Sequence, residues 1–144
     1  MTSEKQNILD YFEGRFGINK SYFEGFGFYL ASKGRVFLGP TSIGNLKFVS
    51  VGLLVVRISR VIKPTTNILQ IFGKYANQNI IMLTKKQAED YVFGMDLKID
   101  DYASVTDGYV ILKYANSSLG CGFLKNNVVK NMLPKAKRLE LKFI

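Results

Sequence analysis

Lys125, Lys130, Lys135, Lys137 and Arg138 crowd the last third of the chain, spaced along short apolar runs, an Asn-Asn turn and the exit Pro134-Lys-Ala-Lys-Arg138. Cations at strand ends and edges neutralise consecutive phosphates, and strands closed by glycines suit a small β-barrel with a cationic rim. A second group, Arg35, Lys47, Arg57, Arg60 and Lys63, occupies the first half. Arg57 and Arg60 interrupt an apolar strand, where an arginine sits at a strand edge or reaches a phosphate. Lys63-Pro-Thr-Thr-Asn67 gathers a cation, hydroxyls and an amide at an expected helix start. That is an anion-binding composition, and a proline-initiated cap explains the same residues structurally. Tyr109, Tyr114 and Phe123 are flat groups suited to stacking on unpaired bases, although alternation sends about half of them to a core.

Bond-breaking chemistry finds little to work with. The chain has no histidine, the usual general base and the commonest zinc ligand. Its single cysteine, Cys121, lies between two glycines in an expected strand, the place of a small buried hydrophobe rather than a nucleophile. Gly25-Phe-Gly27 runs into Phe28-Tyr29-Leu30, a strand-like stretch, where a nucleotide-binding loop would open a helix. The acids Asp96, Asp100, Asp101 and Asp107 lack the spacing of an EF-hand loop and read as a solvated acidic loop. The expectation is therefore a protein without catalytic residues, metal or cofactor.

The charge distribution points to a polyanion. In 144 residues with a net charge of +9, apolar residues make up 47% and charged residues 22%, so the chain has a core and a strong positive field. Residues 14–63 carry eight Lys/Arg against Glu24 alone, and residues 109–144 carry seven against Glu140. Between them, residues 84–108 hold three lysines and six acids. One cysteine allows no intrachain disulfide. The N-terminal Met-Thr-Ser-Glu-Lys-Gln-Asn lacks the plan of a signal peptide. The longest apolar run, 51–56, is far short of the ~20 residues of a spanning helix. A soluble cytoplasmic protein with no membrane partner is expected.

The elements that position these groups follow from caps and periodicity. Ser3-x-x-Gln6 opens a helix with Ile8, Leu9, Phe12 and Phe16 on one face, ending at Gly14 and Gly17. Asn19 caps a helical turn over 18–23. Residues 26–30 and 35–38 form a hairpin through Ala-Ser-Lys-Gly, and 46–62 reads as a strand bent at Gly52. Pro64 breaks that pattern. Thr65 or Thr66 then caps a helix carrying Ile68, Leu69, Phe72 and Tyr75, weakened at Gly73. Residues 79–83 are a strand, and Thr84-x-x-Gln87 opens a helix with Ala88, Tyr91 and Val92 inward that stops at Gly94. Strands are expected at 97–99, 109–114, 119–124 and, from alternation, 139–143, with an acidic loop over 100–107, a turn at 115–118 and a hairpin turn at Asn126–Asn127.

With this order on the page, the second half resembles a PUA domain. Asn79-Ile-Ile-Met-Leu-Thr is like its first strand and 85–93 like its helix. Gly94-Met-Asp-Leu97 is similar to the post-helix turn, Gly108-Tyr-Val-Ile to the next strand, and Leu119-Gly-Cys-Gly-Phe123 to the returning strand. More narrowly, the chain resembles the C-terminal RNA-binding region of Sun/Fmu-type 5-methylcytosine RNA methyltransferases, through Ile8-Leu-Asp-Tyr-Phe-Glu-Gly-Arg-Phe-Gly-Ile18, Lys63-Pro-Thr-Thr-Asn67, Leu119-Gly-Cys-Gly122 and Leu133-Pro-Lys135. In that family the region follows a catalytic domain; here it begins at residue 1, without the Gly-rich cofactor loop or the Pro-Cys and Thr-Cys contexts. The resemblance implies an α+β fold: an N-terminal α/β subdomain over 1–76, and a PUA-like β pseudobarrel with one or two helices over 77–144. It also implies that Gly94 and Lys98, at the turn after the helix, face RNA beside the basic rim.

The expected function is thus a non-catalytic RNA-binding module for rRNA or tRNA modification or ribosome biogenesis. It would serve an RNA methyltransferase or a ribosomal subunit in trans. The competing reading is a basic adaptor that docks on an acidic protein partner or a ribosomal assembly. An anionic-membrane binder would need a basic amphipathic helix, which the sequence lacks.

Overall fold

The computed structural model describes residues 3–40, 52–100 and 104–140. Helix α1 (Glu4–Phe16) starts where expected: the Ser3 hydroxyl accepts from the Gln6 N–H at 3.1 Å, and Ile8, Phe12 and Phe16 are buried. A 3-10 turn over Lys20–Phe23 follows, its first N–H groups met by Asn19. Strands β1 (Phe26–Leu30), β2 (Arg35–Pro40), β3 (Leu53–Ile58) and β4 (Ile62–Pro64) pair antiparallel in sequence order. The part of the expected long strand at 46–51 lies outside the described residues, and Ser59 to Val61 form a turn within it. Pro64 ends the strand run as expected, as the last residue of β4, opposite Val56. It is tolerated because β4 is an edge strand, where a missing N–H costs no ladder bond.

Helix α2 (Thr66–Phe72) packs on β3 through the motif that precedes it. The Thr65 hydroxyl donates to the Leu54 carbonyl at 2.8 Å, and the Asn67 amide donates to the same oxygen at 3.1 Å. The hydroxyl and amide of Lys63-Pro-Thr-Thr-Asn67 thus fasten a helix to a strand. The second half comprises β5 (Ile80–Met82), α3 (Lys85–Val92), β6 (Leu97–Lys98), β7 (Gly108–Tyr114), β8 (Ser117–Lys125), β9 (Val128–Asn131) and α4 (Lys135–Glu140). Its mixed sheet, in the order β5-β7-β8-β9-β6, has β5 parallel to β7 and curls into a half-barrel. Thr84 and Gln87 complete both bonds of the capping box of α3. Asn126 (φ 51°) and Asn127 (φ 69°) turn the β8–β9 hairpin, the left-handed pair that a two-residue turn demands.

Two expectations are corrected here. The turn at 115–118 shortens to Ala115 and Asn116, because Ser117 and Ser118 already pair with Tyr114 and Lys113. The start of the expected strand at 139–143 is helical instead: Leu139 and Glu140 end α4, and 141–144 lie outside the described residues. Helix formers follow Pro134, whose carbonyl accepts from the N–H groups of Lys137 and Arg138, and at Leu139 and Glu140 that start outweighs the alternation.

The second sheet has two working faces. Ile111 and Cys121 of one face join Ile8, Phe12, Ile68 and Phe72 in the first core. Val110, Leu112, Leu124 and Val129 of the other join Tyr91, Leu97 and Leu133 in the second. The Gly-x-Gly of β8 serves this second face. A Cβ on Gly120 would meet the Tyr91 hydroxyl at 2.6 Å, and one on Gly122 would meet Val129 Cγ1 at 2.3 Å. Arg15 spans the halves, donating to the Tyr109 carbonyl at 2.8 Å and to Thr106 Oγ1 at 2.6 Å.

Cys121 is buried, and burial pushes its thiol up to about 12. A thiol held above its ordinary value near ~8.5 favours the fold fully below that pH, and the contribution fades as pH rises above it. At pH 8 a thiol reagent is expected to label the native protein slower than the urea-unfolded chain by a factor on the order of 1,000, since reaction must await opening. Equal rates would place the thiol at the surface.

Candidate nucleic-acid interface

Strand pairing decides which cations share a surface, because directly opposed residues point the same way. Tyr109 opposes Phe123, and Phe123 opposes Lys130. One step along, Lys125 opposes Val128, and Val128 opposes Lys98 on its other side. Phe123, Lys125, Val128, Lys130 and Lys98 therefore share one face, the same face whose β7–β8 portion is covered by the first core. The uncovered portion, over β8, β9 and β6, is basic and partly aromatic. Lys98 and Lys125 flank Val128 at two strand spacings, roughly 10 Å apart. Tyr109 and Phe123 meet edge to face with centroids 4.9 Å apart.

The first sheet brings a second row to the junction. Arg35 opposes Arg57, and Arg57 opposes Lys63, so three cations stand side by side across β2, β3 and β4. Like charges directly opposed repel, and an anion laid over them removes the repulsion. Arg35 is partly committed, its guanidinium donating to Ser32 O and Ser32 Oγ at 3.1 Å. Arg57 and Lys63 are exposed and line a cavity of about 220 Å3 with Tyr109, Met132 and Pro134. Among the described residues the ion pairs are Lys20–Asp10 and Lys86–Asp90. None involves Arg57, Lys63, Lys98, Lys125 or Lys130, so each of these charges is open to solvent anions.

The remaining candidates fall elsewhere. Arg60 sits in the β3–β4 turn and lines a separate cavity with Glu4 and Asn7. Lys137 donates to Gln70 Oε1 on α2 at 2.8 Å. Arg138 lies across the turn after α3: a Cβ on Gly94 would meet Arg138 Cδ at 2.7 Å. The surface above Gly94 (φ 97°) is therefore taken by the chain's own arginine. Arg138 also reaches Asn131, which belongs to the sheet face of the second core. Gly94 and Arg138 thus stand apart from Lys98, Lys125 and Lys130, and Lys135 is exposed at the start of α4. Tyr114 packs against the second core.

The sequence reading missed Phe93 and Met95, which flank Gly94 and are 69% and 54% exposed. Their signal was available. Ala88, Tyr91 and Val92 define the inward face of α3, and Phe93 falls off it.

Among the described residues no cluster of three or more His, Cys, Asp or Glu is placed to hold a metal ion. No helix there is long and apolar enough to cross a membrane. Residues 78–139, from just before β5 into α4, match the family model described as the Methyltransferase RsmF PUA domain. No curated protein sequence matches the chain. The PUA resemblance of the second half therefore stands: this segment matches a PUA-like domain of the kind found in Sun/Fmu-type methyltransferases. PUA domains bind RNA.

Proposed function

We propose that the chain is an RNA-binding module acting in rRNA or tRNA modification or ribosome biogenesis, in company with an RNA methyltransferase or a ribosomal subunit. The observation that carries this reading is the shared exposed face of Lys98, Lys125 and Lys130 beside Phe123, within a segment that matches a PUA domain. The row of Arg57 and Lys63 extends it across the junction. Phosphates lie along the cations, and Phe123 with Tyr109 offers rings to unstacked bases.

With five phosphate contacts, log affinity for a structured RNA falls against log salt with a slope of about −4 to −5. A slope near zero, or no binding at ~50 mM salt, overturns the reading. One observation favours a protein partner as well: the exposed Phe93 and Met95 form an apolar turn on the α3 side. A partner recovered equally before and after nuclease treatment would support docking there.

A further inference from the structure

The cavity between the two sheets combines features that neither phosphate binding nor packing uses fully. Its walls are Leu54, Pro64, Tyr109, Met132 and Pro134, and its charged side is Arg57 with Lys63. Packing alone would fill such a space with side chains rather than leave two unpaired cations beside it. A free phosphate would satisfy the cations and leave the apolar walls wet. At about 220 Å3 the space exceeds the ~150 Å3 of a cavity that takes benzene, so it accepts one heterocycle with its exocyclic groups and no base pair. Asn67 also lines it. Its amide N–H is spent on Leu54, while its Oδ1 accepts nothing among the described residues and can receive a base N–H.

The cavity is continuous with the basic face. Met132 lies two residues beyond Lys130, about 7 Å along the chain direction. Met132 also remains bonded to the sheet, its N–H donating to the Cys121 carbonyl at 3.2 Å. An RNA strand tracking Lys98, Lys125 and Lys130 arrives at its mouth.

We propose that this cavity receives one unpaired nucleotide of the bound RNA, the base against Tyr109, Met132 and Pro134 and the phosphate against Arg57 and Lys63. The proposal rests on the RNA-binding reading above. It adds a preference for a strand with an extruded base, because paired RNA keeps its ring faces stacked and hidden.

The test compares a fully paired RNA hairpin with the same hairpin carrying a single bulged uridine. The intact protein is expected to bind the bulged form roughly tenfold tighter, the gain of one base stacked on protein. Met132→Trp fills the cavity without changing charge, and should bring the bulged hairpin down to the paired one while leaving the paired affinity intact. Arg57→Ala with Lys63→Ala should cut the salt slope for the bulged hairpin by about one to two units. In the unaltered protein, 4-thiouridine at the bulge should photo-crosslink to residues 54–67 or 132–134. Equal affinities for the two hairpins, a preference that survives Met132→Trp, or crosslinks confined to 123–130 would overturn the proposal. Failure of both hairpins to bind at ~50 mM salt would instead overturn the RNA-binding reading, and the cavity's role with it.

Discussion

Asn131→Ala is expected to lower the free energy of unfolding by about 3–5 kcal/mol, a cost characteristic of a broken buried polar network. The side chain is only 6% exposed and uses both ends. Its amide donates to the Tyr91 carbonyl at 2.7 Å and the Met95 carbonyl at 3.0 Å. Its oxygen accepts from the Leu133 N–H at 2.8 Å, with the Arg138 guanidinium at 3.4 Å. The residue joins the end of α3, the turn after it, the last strand and the entry to α4. Alanine leaves the Leu133 N–H without its partner inside the second core, at about 1–3 kcal/mol, removes one of the bonds to the Tyr91 carbonyl, which keeps the Gly94 N–H at 2.9 Å, and opens a cavity as well. Met95 is exposed, and water can replace its lost bond. Urea unfolding reads the effect as a lower midpoint at unchanged slope. A loss under ~1 kcal/mol would mean that water restores the network.

The second large effect concerns RNA. Replacing Lys98, Lys125 and Lys130 together with alanine removes three open charges from one face. The salt slope should become shallower by about two to three units, and affinity at ~0.1 M salt should fall by a factor on the order of 100. Stability should hold, since surface substitutions away from caps and cores usually stay within ~0.5 kcal/mol each. The comparison is Lys135→Ala with Lys137→Ala on α4. It removes one exposed charge and one already bonded to Gln70, and should shift the slope by no more than about one unit. Equal losses from both variants would mean binding through diffuse charge, and the shared face would lose its standing.

Local chemistry was legible where a side chain closes a hydrogen bond within a few residues. Ser3, Asn19 and the Thr84–Gln87 pair each cap the element that their spacing announces. The same holds for Asn126–Asn127, whose two positive φ angles are what Asn tolerates in a hairpin. The α+β class was implied by the PUA resemblance that the order of these elements carried. The turn at 59–61 and the helical Leu139 and Glu140 were missed because the deciding facts lie outside those stretches. An apolar run does not announce where a strand folds back on itself, and alternation at Leu139 and Glu140 weighs less than the helix start before it.

The interface was legible in composition and not in arrangement. The lysines were visible, but their grouping depends on β6 pairing with β9 across some thirty residues of chain. The resemblance placed Lys98 with Gly94 at the turn after the helix, whereas pairing puts it beside Val128 and two strand spacings from Lys125. Arg138, counted among the rim, has its stem over Gly94. Arg57 and Lys63 belonged to one expected basic group, and the turn between them sets them directly opposite each other.

The Asn126–Asn127 turn has a consequence for how readily this surface can change. Around this turn Phe123, Lys125, Val128 and Lys130 share one face while Leu124, Val129 and Asn131 share the other, so the turn fixes odd and even positions at once. Adding or removing one residue there would reverse the parity of β9, sending Lys130 toward Tyr91 and Leu124, and Val129 toward solvent. Changes in pairs would keep parity and only lengthen the hairpin. The loop should therefore accept two-residue insertions and reject single ones, whatever residues are inserted, and this arithmetic confines variation of the basic face to exchanges of side chains in place.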